Sequence, residues 1–129
     1  VVLDHIGFAV GDYEKAKAFY EAALAPLGIG PVMEVGPDQT GEEGWAIGYG
    51  RGQKPEVWIA SGGPTERIHI ALTADDRAQV DAFYEAALQA GATDNGAPGL
   101  RPHYHPDYYG AFVIDPEGHN LEAVCHKPG

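Results

Sequence analysis

The chain has 129 residues, of which 21% are charged, with eight Lys and Arg against nineteen Asp and Glu, a formal net charge of −11 and one cysteine. So acidic a surface repels phosphate backbones and anionic lipid, which excludes nucleic acid and membrane surfaces as partners. One cysteine excludes an internal disulfide and suits a reducing cytoplasm, and the length fits one domain that buries roughly two thirds of its unfolded surface.

In chain order, "VVLDHIGFAV" enters a strand pattern directly and lacks the basic n-region of a signal peptide. No apolar run is long enough to span a bilayer. The expectation is a cytoplasmic protein that acts on a small molecule. Residues 2–10 alternate, with Ile6, Phe8 and Val10 on one face and His5, Gly7 and Ala9 on the other. Asp12 then reads as an N-cap, and Ala16, Phe19, Tyr20, Ala23, Leu24 and Leu27 form an apolar stripe that Gly28 and Gly30 stop. Strand-like runs follow near 31–36, 44–50 and 55–61. Between the first two, "GPDQTGEEGW" (36–45) reads as a hairpin loop with solvated Glu42 and Glu43.

A second strand spans 67–73, with Ile68, Ile70 and Leu72 opposite His69, Ala71 and Thr73. A helix from about 76 to 90 turns Val80, Phe83, Tyr84, Ala87 and Leu88 inward. Strand runs near 92–96, 108–114 and 119–126 complete the chain, the last two joined by a turn at "DPEG" (115–118).

The heptapeptide "AFYEAAL" stands at 18–24 and again at 82–88, 64 residues later. The same offset carries "DHIGFAVGD" onto "IHIALTADD", His5 onto His69 and Asp12 onto Asp76. The chain therefore reads as an α+β domain of two βαβββ modules, about 1–63 and 64–129. On the strands that open each module, His is followed by Gly7 or Ala71, small residues that suit the lining of a cavity. Extended to the module ends, the offset sets Trp58 on Glu122. Provided that the loops hold no compensating insertions, equivalent strands aim His5, His69 and Glu122 at one point. Two imidazoles and a carboxylate are the donor set of a catalytic Zn, Fe or Mn site.

"RPHYHPDYYG" (101–110) reads as a lid or wall over that site. His103, His105 and Tyr109 are its candidates for proton transfer near neutral pH. Tyr104, Tyr108 or Tyr109 would line the entrance, and Phe112 shares parity with Tyr108 and Gly110 on the cup side. Trp58 is a ring against which a substrate could lie, Trp45 a packing residue, and Cys125 points away from the cavity. His126 shares the cavity parity but lies beyond the expected strand end.

The stretches "LDHIGFAVGDYEKAKAFYEAAL", "RIHIALTADD" and "FVIDPEGHNLEAVCH" resemble the vicinal oxygen chelate superfamily of glyoxalase I, extradiol dioxygenases, fosfomycin-resistance transferases and bleomycin-resistance proteins. The resemblance implies paired modules forming a half-closed cup, the glyoxalase/bleomycin-resistance/dihydroxybiphenyl dioxygenase fold. It also implies a divalent metal (Zn, Fe, Mn or Ni) on His5, His69 and Glu122, a small substrate with vicinal oxygens, and a homodimer. The pattern departs from glyoxalase I, which resembles it but has a fourth, carboxylate ligand where Trp58 stands here. Glu56, two residues earlier on the same face, is the one candidate to replace it. The alternative reading is a metal-free protein that sequesters a small molecule in the same cup, as the bleomycin-resistance members do.

Overall fold

The computed structural model describes residues 4–40 and 43–129. The first module contains β1 (Ile6–Ala9), α1 (Tyr13–Leu24), β2 (Gly30–Val35), a short α2 (Pro37–Thr40), β3 (Ala46–Gly50) and β4 (Val57–Ala60). The second contains β5 (His69–Thr73), α3 (Arg77–Gln89), β6 (Thr93–Leu100), β7 (Tyr109–Ile114) and β8 (Asn120–Cys125). Each module folds into one four-stranded sheet, in the orders β1-β4-β3-β2 and β5-β8-β7-β6. Residues 2 and 3 of the expected first strand, and Glu42 in the expected loop, lie outside the described residues. Glu43 is exposed, and 37–40 of that loop forms one helical turn.

The two helices start alike because their caps are alike. The Asp12 side chain accepts from the Lys15 amide at 3.1 Å, and the Asp76 side chain accepts from the Gln79 amide at 2.8 Å. Each cap stabilises its helix by roughly 1 kcal/mol. The apolar stripe of α1 runs on to Leu27, but the α-helix stops at Leu24 and Ala25–Leu27 is 3-10. Pro26, which has no amide hydrogen, sits at the start of that tighter turn, and Gly28 closes it in the left-handed region at φ 76°. Phe19, Tyr20, Leu24 and Leu27 are fully buried, each contributing roughly 1.5–3 kcal/mol. Val80 and Phe83 do the same for α3, with Ala87 buried beside them, and Cys125 lies in the same core.

The strand pairing answers the question of insertions. Gly7 pairs with Trp58 and Gly48 with Trp58, while Ala71 pairs with Glu122 and Phe112 with Glu122. Every one of these positions is related by 64, so the offset holds without a gap through the strands that carry the site. It slips only on the outer strands. There β6 is longer than its expected 92–96, with register shifts at Asp94/Gly96 and Gly96/Gly99, whereas β2 shifts once, at Pro31/Met33.

The modules are fastened together at their hairpin turns. Asp115 is buried and accepts from the Tyr20 hydroxyl of α1 and from the amides of Glu117 (2.8 Å) and His119 (2.9 Å). The Glu117 carboxylate accepts from the amides of Gly11 and Asp12, both at 3.1 Å. On the other side, Arg51 donates to the Leu27 carbonyl at 3.0 Å and to the hydroxyl and carbonyl of Thr73. Buried His119 joins the same junction, its Nδ1 accepting from the Ile68 amide and its ring edge-on to Phe8.

This packing predicts an alkaline limit to stability. Burial, and secondly the Asp115 carboxylate, hold the Tyr20 hydroxyl well above its ordinary value of 10.0. Its contribution is therefore complete below about pH 10 and is lost as pH rises further, by about 1.4 kcal/mol per pH unit. Urea midpoints at about pH 8 and about pH 11 should differ, and Tyr20→Phe should remove part of the difference. Equal pH sensitivity in the variant would refute the assignment.

Candidate functional site

Three patches adjoin one another, the first two through His69 and the last two through Asp4 and His5. The first belongs to the second module. Glu122, central on β8, is 1% exposed, and its Oε1 lies 2.8 Å from Nε2 of His69 at the start of β5. The Tyr108 hydroxyl donates to its other oxygen. Burial, and then this carboxylate, raise the Tyr108 hydroxyl above its ordinary range. The His69 side chain is 53% exposed, so one edge of the pair opens to solvent. Phe112, beside Glu122 in the strand register, has its ring centre 6.3 Å from that of His69, and the Arg101 guanidinium lies over it at 5.4 Å.

The second patch is a cleft of about 300 Å³ between the edge strands β1 and β5. His5 and Glu56 stand on one wall, His69 and Thr73 on the other. The His5 Nδ1 is 2.8 Å from Asp4, whose carboxyl also meets Lys54 at 3.0 Å; His5 and then Lys54 lower the pKa of Asp4. Two of the three expected ligands, His69 and Glu122, are thus in direct contact, and His5 shares the cleft with His69. Among the described residues no group of three His, Cys, Asp or Glu is close enough to hold a metal. The third patch is a broad hollow over the first module, about 630 Å³, with Trp58 in its floor.

The 101–108 segment folds back on itself, the Arg101 amide donating to the Tyr108 carbonyl at 2.7 Å. The His103 ring lies tilted against Tyr104, with centres 4.3 Å apart, and Tyr104 meets Tyr108 edge-on at 5.1 Å. His105 lies 5.6 Å from His126, which also packs edge-on to Tyr108 at 5.2 Å. Tyr109 is a correction. Its hydroxyl donates to Asp81 on α3 at 2.7 Å, and Arg77 lies over its ring, so it faces the helix and not the cup. Alternation along a strand requires this, because its neighbour Tyr108 takes the cup side. His126 and Asp4 are site neighbours that the sequence reading missed. Parity marked the first, and adjacency to His5 could have marked the second.

A family model described as "Glyoxalase/Bleomycin resistance protein/Dioxygenase superfamily" matches residues 2–123. Among solved structures, the chain is similar to a glyoxalase/bleomycin resistance protein from Albidiferax ferrireducens T118, with 27% identity, TM-score 0.78, and 99% of this chain and 100% of that one covered. It shares its fold with glyoxalase I from Zea mays (20% identity, TM-score 0.70), covering 95% of this chain but only 43% of the maize one. It also shares the fold with the fosfomycin resistance protein FosX from Listeria monocytogenes, solved with Mn(II) and sulfate (21% identity, TM-score 0.65, 95% and 90% covered). No curated protein matches the chain. No helix among the described residues is long and apolar enough to cross a membrane.

Proposed function

Because the chain belongs to the Glyoxalase/Bleomycin resistance protein/Dioxygenase superfamily, we propose that it is a divalent-metal-dependent enzyme whose small substrate offers the ion two neighbouring oxygens. The observation that carries this reading is the Glu122 carboxylate. It is almost wholly buried, and its recorded partners among the described residues are His69 and Tyr108, with no Lys or Arg. Removing a carboxylate from water costs several kcal/mol unless charge or strong donors meet it. The donor chemistry fits a divalent ion. An imidazole nitrogen and a carboxylate oxygen already face each other, and His5 lines the adjoining cleft.

His5, His69 and Glu122 would hold the ion, with Glu56 in the same cleft as the candidate fourth ligand. When bound, a Zn, Fe, Mn or Ni ion supplies Lewis-acid polarisation of a substrate oxygen. The other tasks fall to side chains of this chain. Trp58 and Phe112 offer ring surfaces to the substrate, and Tyr104 forms part of the wall. His105 or His103, on the loop above Glu122, would carry a proton to or from the substrate. A cytoplasmic homodimer is part of the proposal. Elemental analysis of protein purified without chelator is the test, with about one ion per chain expected. Protein that contains none, and takes up none on addition, would overturn the reading.

The metal-free binding reading is favoured by one feature, Trp58 at the position where the second module has Glu122. The same analysis separates the two.

Tyr108 enters as a positioning residue, because its hydroxyl fixes one oxygen of Glu122 while the other faces His69. Tyr108→Phe should weaken metal binding by about 10-fold to 100-fold, the usual effect of losing a group that orients a ligand. Calorimetric titration with Zn(II) or Mn(II) reads this directly, and an unchanged affinity would remove Tyr108 from that role.

A further inference from the structure

We infer that the first-module half of the cup is a stacking site for a flat, uncharged aromatic ring, with the Trp58 indole as its floor. The inference rests on the reading of the cup as a small-molecule site, and not on the metal. Across β1, β4 and β3 one register row reads Gly7, Trp58, Gly48. A methyl group at position 48 would come within 2.9 Å of the indole and 2.6 Å of Pro55. Only a glycine there lets the ring lie down over β3, beside the proline. At Gly7 an added methyl would meet the Trp58 Cβ at 3.4 Å, an ordinary contact, so the glycine that seats the ring is Gly48. The corresponding row of the second module, Ala71, Glu122, Phe112, places a buried acid where the first has the indole.

The hollow above Trp58, about 630 Å³, is large enough for a ligand of two fused rings. Its charged rim is internally balanced, since Asp4 meets both His5 (2.8 Å) and Lys54 (3.0 Å). Ala46 and Pro55 supply apolar walls. A rim without spare charge and a floor made of one face of an indole select for planarity and π-surface, not for ionic groups. Oxygen substituents on such a ring would extend toward His5 and the cleft, leaving the ring itself on Trp58.

The test uses the full chain, stripped of metal with a chelator, and 2-naphthol against its saturated analogue decahydro-2-naphthol. The protein has two tryptophans, so an ¹⁵N-labelled sample gives two indole N–H signals, which Trp45→Phe assigns. The Trp45 ring packs over Gly36, away from the hollow, and serves as the internal control. The expected result is a saturable shift of the Trp58 signal by 2-naphthol, an unmoved Trp45 signal, and binding about tenfold tighter than that of the saturated alcohol. Trp58→Ala should weaken 2-naphthol by about tenfold, while Trp58→Phe keeps most of the affinity and guards against misfolding. Equal binding of the two alcohols, an unmoved Trp58 signal, or unchanged affinity in Trp58→Ala would overturn the inference. Because the sample holds no metal, failure here leaves the metal titrations unaffected, and failure of those leaves this result intact.

Discussion

Glu122→Gln protein is expected to bind divalent metal at least about 100-fold more weakly than the wild type while remaining folded. The amide keeps the shape of the side chain and one acceptor oxygen, so either His69 or Tyr108 keeps its partner. What it loses is the charge and one of the two oxygens, which is what a cation needs. Glu122→Ala is the harsher variant, because it leaves a cavity and strands both partners beside it. Calorimetric titration with Zn(II) and Mn(II), with thermal melts in parallel, separates loss of the site from loss of the fold. His5→Ala should fail in the same titration if the cleft supplies the third ligand, and Glu56→Gln tells a three-ligand site from a four-ligand one. A Glu122→Gln protein with unchanged affinity would end the metal reading.

The second large effect is structural. Asp115→Ala should destabilise the fold by about 3 kcal/mol, or about 10 °C in Tm. Asp115 is 3% exposed and accepts three hydrogen bonds, from the Tyr20 hydroxyl and the amides of Glu117 and His119. Removing it leaves three donors without acceptors, of which the Tyr20 hydroxyl and the His119 amide lie in buried residues. It also frees the turn that places Glu117 at the start of α1, so that helix should fray with it. Hydrogen exchange at Gly11 and Asp12 is the specific readout, and their continued protection in a destabilised variant would show that the turn holds without Asp115.

Most of the fold was legible because a duplicated sequence carries its own register. The identical heptapeptides fixed the offset, and strand alternation then assigned a face to His5, His69, Trp58 and Glu122 before any pairing was known. The contact between His69 and Glu122 follows from that parity. The pairing of His5 with Asp4 does not, because neighbours in sequence on an exposed strand end are free of the alternation rule. Tyr109 lies within the strand expected over 108–114, and alternation from Tyr108 and Phe112 already puts it on the helix face; its place in the histidine- and tyrosine-rich stretch 101–110 is what draws it toward the site. The length of β6 beyond 96 is hidden by the glycines and proline in "TDNGAPGL", which weaken a strand pattern and are accommodated by register shifts. His126 was passed over because the strand ends before it, yet the folded loop brings His105 and Tyr108 to it.

The two hairpin fastenings bear on how such a chain could have arisen and whether it could go back. Positions 51 and 115 stand one repeat apart, but one is an arginine that grips Thr73 and the other an aspartate that grips Tyr20. Two copies of the first half would present arginine at both junctions and leave each Tyr20 hydroxyl without its acceptor. Two copies of the second half would present aspartate at both and no cation for either threonine. The two halves are therefore not equivalent at the junction: the second carries Asp115 together with Tyr84 at the position of Tyr20, whereas the first carries Tyr20 with an arginine where the acid would have to be, so only the second keeps both members of the tyrosine–aspartate fastening.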